Sequence, residues 1–112
     1  MKKSFVFIFG QGSKTLSEVE QKRRTEGVRA WALQQQQDRN FEPRILGAES
    51  EQLGDRADSV TNERPVIALN FIEARDFNEA VQIAQTHPGL RYGVNIEVRE
   101  WTDPRARSAR GR

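Results

Sequence analysis

The chain has 112 residues, no cysteine and one histidine, with 18 basic residues against 16 acidic ones. That length holds one hydrophobic core rather than two, and the missing cysteine excludes disulfides, thiolate metal sites and thiol catalysis. No run approaches the ~20 apolar residues of a membrane span, so a soluble, cytoplasmic protein is expected.

The opening, Met1-Lys2-Lys3 before Phe5-Val6-Phe7-Ile8-Phe9, imitates a signal peptide. Its apolar run is too short for an h-region, and Gly10-Gln11-Gly12-Ser13-Lys14 then turns polar without a small-residue cleavage site. Ser4 to Phe9 reads instead as a strand buried on both faces, with Phe5, Phe7 and Phe9 on one side and Val6 and Ile8 on the other. The glycine-containing turn follows a strand and precedes a helix, yet has neither phosphate-loop nor dinucleotide-loop spacing. It predicts a flexible turn, with the amides of Gly10 and Gln11 as candidates to line the mouth of a cleft.

Ser17 followed by Glu20 has the spacing of a capping box, with Leu16 at the staple position. The helix it opens is predicted to run to about Asp38. Its apolar stripe (Val19, Gly27, Trp31, then Gln34 or Gln35) is thin, and Gly27 in its interior costs ~1 kcal/mol relative to alanine. A close packing neighbour or a local bend would each explain that glycine. The glutamines at 34–37 read as a solvated helix face.

A short strand is expected over Arg44 to Gly47, then a polar excursion over residues 48–65 in which Val60 can form a further strand. A connection of that length is unusual inside a compact domain. Pro65 is expected to start the next strand, apolar on both faces through Ile72 except at Asn70. Asp76 and Glu79 repeat the capping pattern for a helix that buries Phe77, Ala80, Val81 and Ala84, with Ile83 beside them. Pro88-Gly89 stops it and forces His87 extended. Val94, Ile96 and Val98 then alternate with Asn95, Glu97 and Arg99, a strand with one apolar and one polar face.

Residues 102–112 carry Arg105, Arg107, Arg110 and Arg112 against Asp103, which leaves 14 basic and 15 acidic residues in the body. The sequence pI of about 9.4 therefore belongs to the tail. A disordered, solubilising end is the plain reading of such a segment, and contact with nucleic acid is the alternative. Without interleaved aromatics or a folded basic face, a nucleic-acid partner is not expected.

The order strand, helix, strand, strand, helix, strand is the split βαβ arrangement, which predicts an α+β, ferredoxin-like protomer with an antiparallel sheet. Strands one and three should be central, and the last, polar on one face, an edge. Two helices cover one face of such a sheet. The bare apolar face predicts a homodimer, the chain's expected partner being a second copy of itself.

The residues also carry a resemblance. The opening Met1–Phe9, the Leu16-Ser17-x-x-Glu20 cap, Phe71-Ile72-Glu73-Ala74, Asn78-Glu79-Ala80, Ala84, His87-Pro88-Gly89 and Gly93-x-x-Ile96-Glu97-Val98-Arg99 together resemble the YCII-related (DGPF-type) proteins of the dimeric α+β barrel group. The likeness spans nearly all of residues 1–101, the expected domain, with 102–112 as its tail. It implies a ferredoxin-like protomer, dimerised through the sheet, with a cleft between sheet and partner. Some members carry a His–Asp pair proposed as catalytic, and one branch resembles a dehydrochlorinase of chlorinated hydroquinones. The first helix here contains no histidine, and Thr61-Asn62-Glu63-Arg64-Pro65 stands in place of the DGPF signature.

Candidate chemistry follows from side-chain type. His87 has the only side chain whose ordinary pKa lies near neutrality, so it is the first candidate acid or base, although helix termination also explains its place. Glu97 and Arg99 share a strand face with Asn95, and Asn70 on a neighbouring strand is a candidate to join them. Arg99 would hold a carboxylate or phenolate and Glu97 accept a proton; charges that protect an edge strand are the competing explanation. Trp101 continues that face as a packing residue or dimer contact. One histidine, no cysteine and no clustered carboxylates give no metal motif, and no cofactor is expected. The function these residues suggest is a homodimer that binds a small organic ligand between subunits, any catalysis being cofactor-free proton transfer or elimination. The competing class is a non-enzymatic accessory or interaction module that uses the 48–65 excursion or the arginine tail.

Overall fold

The structure, a computed structural model, describes residues 2–12, 14–54 and 65–105. Its elements are β1 (Lys3–Gly10), α1 (Glu18–Asp38), β2 (Phe41–Ile45), β3 (Val66–Ala74), α2 (Phe77–Gln85), a 3₁₀ turn (Pro88–Tyr92) and β4 (Asn95–Glu100). One antiparallel sheet in the order β2-β3-β1-β4 makes this an α+β, ferredoxin-like fold, with β1 and β3 central as their two apolar faces require. No helix among the described residues is long and apolar enough to cross a membrane.

The registers fix which side chains share a face. Phe7 lies opposite Asn70 and Val98, and Phe5 opposite Ile72. Together with Phe9 and Ala74 these form the helix-side face, and Trp31, Phe41, Ala80, Ile83 and Ala84 close the core over them. Val94, Ile96 and Val98 pack against this core, as the alternation in β4 predicts. On the other face Val6 lies opposite Phe71 and Arg99, and Ile8 opposite Leu69 and Glu97. No helix among the described residues packs there, and Val6, Ile8, Leu69 and Phe71 stay half-buried.

Both helix starts form as their sequences predict. Ser17 Oγ accepts from the Glu20 amide at 3.1 Å, and Glu20 Oε1 accepts from the Ser17 amide at 3.0 Å. Asp76 Oδ1 accepts from the Glu79 amide at 2.8 Å, but Glu79 reaches one residue further back, to the Arg75 amide at 2.7 Å. The interior glycine of α1 is explained by a close neighbour: a Cβ on Gly27 would lie 3.3 Å from Pro88 Cβ. Gly27 thus lets α1 seat on the 3₁₀ turn.

Three local expectations are corrected. β2 begins at Phe41, earlier than Arg44, and includes Pro43, which an edge strand tolerates because no neighbour needs its missing N–H. Val66, not Pro65, begins β3; Pro65 instead offers its carbonyl to the Gln11 amide at 2.9 Å. Phe77 is 52% exposed and Val81 only half-buried, because Phe77 opens α2 beyond the last core layer and touches Phe5 at the rim (ring centroids 6.2 Å). The expectations for Val60, for Thr61 to Arg64 and for most of the basic tail fall outside the described residues.

Candidate functional site

The thin stripe on α1 has a structural result. Only Trp31 and Gln35 of this 21-residue helix are buried, and Val19 is 58% exposed. Trp31 sits edge-on to Phe41 and to His87, with ring centroids 5.5 and 4.7 Å away, and its Nε1–H donates to Thr86 Oγ1 at 2.7 Å. Ahead of it, α1 has too little apolar surface to fill the space above the sheet. A cavity of about 360 Å³ remains, near the small end of the ~300–1,000 Å³ usual for small-molecule sites. Arg24, Thr25, Val28, Trp31 and Ala32 line it from α1; Phe9, Phe41, Pro43, Arg44, Ile45, Ile67, Ala68 and Asn70 from the sheet; His87, Gly89 and Val94 from the turn region.

Two polar side chains stand in this mostly apolar wall. Asn70 is 8% exposed and His87 is 6% exposed. The Asn70 amide and His87 Nε2 hydrogen-bond to no described residue, yet neither is sealed in protein. Both therefore open on the cavity they line.

His87 owes its position to the fold. Extended before Pro88, it caps the 3₁₀ turn, Nδ1 accepting from the Gly89 amide at 2.9 Å. A Cβ at position 89 would lie 2.9 Å from the ring, so glycine is required there. Because Nδ1 accepts, the ring proton sits on Nε2. Phe9 packs edge-on to the ring at 4.7 Å, and burial pushes its pKa down to about 4. At neutral pH the side chain is an uncharged imidazole of fixed tautomer, a hydrogen-bond donor toward the cavity. It can polarise an acceptor oxygen, but its remaining basic nitrogen is occupied by the Gly89 amide. This geometry favours His87 as a hydrogen-bond donor over His87 as a base.

The other residues singled out from sequence do not assemble with it. Glu97 and Arg99 lie across the sheet on the bare face, paired at 3.9 Å with both side chains more than half exposed. That is the geometry of a solvated edge pair, worth ~0–1 kcal/mol. Asn95 is on their side and exposed, whereas Asn70 faces the helices opposite Phe7, so the four residues do not share one face. Gln11 has its amide bonded to Pro65, and Gly10 lies in the sheet at a register shift, so neither amide lines this cavity. A Cβ on Gly12 would meet the Gly93 carbonyl oxygen at 2.5 Å, which makes the turn a packed one. Trp101 stacks edge-on against Phe71 at 5.7 Å. No group of three or more His, Asp or Glu that could hold a metal ion occurs among the described residues.

No protein-family model and no characterised protein matches the chain. Function has to be read from the site itself. There, sequence reasoning had marked Asn70, Trp31 and His87 separately and missed Arg24, Thr25 and Arg44. The signal available was the poverty of the α1 stripe, since a helix that cannot fill its own footprint leaves a hole beneath it.

Proposed function

We propose that the protein binds a small, largely apolar organic molecule in the cavity beneath α1, within one protomer. The observation that carries this reading is the pair of polar groups, Asn70 and His87 Nε2–H, on largely buried residues, which open on an otherwise apolar wall without a hydrogen-bond partner among the described residues. Polar groups that face an apolar-walled cavity favour a guest that supplies the complementary hydrogen-bonding atoms. Asn70 offers a donor and an acceptor, and His87 a donor, so a carbonyl oxygen is the natural complement. The described lining contains no carboxylate and no free base, which favours binding over proton abstraction.

Acetophenone and ethylbenzene, matched in shape and differing in the carbonyl, test this by titration of the amide NMR spectrum. Acetophenone is expected to shift Val28, Ala68 and Gly89 and to bind about tenfold tighter than ethylbenzene. Asn70→Leu should remove that preference. Absence of shifts at these residues with either compound would overturn the proposal.

The bare face supports a homodimer as the working form. Val6, Ile8, Leu69 and Phe71, extended by Trp101 at 40% exposure, make an apolar surface with no helix of the described residues over it. This is also what the resemblance to YCII-related proteins implies. Sedimentation at micromolar concentration is expected to give twice the chain mass, and Phe71→Glu to weaken association at least about 100-fold by burying an unpaired charge. A wild-type monomer would refute it.

A further inference from the structure

Resting on the binding role proposed for the cavity, we infer that its guest is a small organic acid, with a carbonyl directed inward to Asn70 and His87 and a carboxylate held at the rim by Arg24 and Arg44. The two arginines line the cavity from different elements, Arg24 from α1 and Arg44 from β2, and no Asp or Glu stands among the described lining residues. Arg24, half-buried, makes no ion pair or hydrogen bond with any described residue. Arg44 is held loosely: Glu42 is 3.7 Å away with both side chains mostly exposed, and its one side-chain hydrogen bond among the described residues runs to the neighbouring Pro43 carbonyl at 2.8 Å. An exposed pair of that kind yields readily to a better-placed anion, and guanidinium groups match a carboxylate in shape as well as charge.

The polarity of the two ends sets the orientation. Asn70 and the neutral His87 supply dipoles and no charge, so a carboxylate driven to the inner end would lose its hydration without gaining a cation. At the rim it keeps water on one side and two guanidiniums on the other. An apolar body between the two ends meets Phe9, Trp31 and Phe41.

The test is titration of the full chain with 3-acetylbenzoate, 4-acetylbenzoate and levulinate, using acetophenone as the uncharged reference, at roughly 20 and 300 mM salt. At least one acid is expected to bind about tenfold tighter than acetophenone at low salt, with the advantage shrinking at high salt. Arg24→Gln and Arg44→Gln should each lower the affinity for the acid severalfold more than the affinity for acetophenone. If acetophenone binds and no acid exceeds it, or if the advantage survives in the double variant, the inference fails and the binding role stands. If none of the four compounds binds, both fall. An acid that binds with arginine dependence where acetophenone does not would uphold the anion site and remove the carbonyl preference.

Discussion

Trp31→Ala should destabilise the fold by about 3–5 kcal/mol, the usual range for deleting a large buried aromatic side chain. Set against a total of ~5–15 kcal/mol for a domain of ordinary stability, that is a large fraction. The reason lies in how little else fastens α1 to the body. Trp31 and Gln35 are its only buried residues, and Gln35 spends its side-chain oxygen on Arg39 within the same helix. Trp31 reaches across, edge-on to Phe41 and His87 and bonded to Thr86, whose hydroxyl donates to the Ile83 carbonyl at 2.6 Å. One indole thus ties α1 to β2, to the turn and to the end of α2. Urea unfolding followed by circular dichroism measures the loss, and Trp31→Phe, which keeps a ring but drops the N–H, should cost only about 1–2 kcal/mol. A loss below about 1 kcal/mol for the alanine variant would show that α1 is anchored elsewhere.

The second large effect is a pH dependence from His87. Burial lowers its folded pKa to about 4, against about 6.5 for an unfolded chain. The unfolded state therefore takes up the proton first as pH falls. The stability His87 allows is fully present above pH ~6.5, is lost progressively between ~6.5 and ~4, and loses nothing further below that. The full difference corresponds to at most about 3 kcal/mol; water in the adjoining cavity screens the ring, so about 2 kcal/mol is expected. Carboxylates titrate in the same window, so the measurement is a comparison. His87→Asn keeps a side chain able to cap the turn and removes the titration. Wild type should lose about 2 kcal/mol more than this variant between pH 7 and pH 4. Parallel pH profiles would mean that the imidazole is charged at little cost where it sits.

Much of this architecture can be read from local pattern. The two N-cap side chains, the proline stop and the alternation of β4 each need only neighbours within a few residues, and all form as written, apart from Glu79 reaching Arg75 rather than Asp76. What failed needed partners distant in the chain. Asn70 is a candidate for the face of Glu97 in the sequence because the registers of β3 and β4 against β1 are not encoded in either strand alone; Phe7 opposite Asn70 and Ile8 opposite Glu97 put them on opposite sides. Pro43 reads as punctuation until β2 is known to be a border strand. His87 was visible as a helix stop and as an isolated imidazole, but its tautomer depends on the Gly89 amide meeting Nδ1. The cavity was legible only as an absence, the shortage of apolar residues along α1, and Arg24 and Arg44 matter only because that shortage leaves space between them.

Pro43 also bears on how copies of the chain can meet. Midway along β2 it takes one amide off the open border of the sheet, while Glu97 and Arg99 charge β4, the strand at the opposite border. A further strand laid alongside either margin would lose a ladder bond at one or crowd charges at the other. Lateral, fibre-like growth is thereby discouraged on both flanks, and a like molecule is steered to approach broadside.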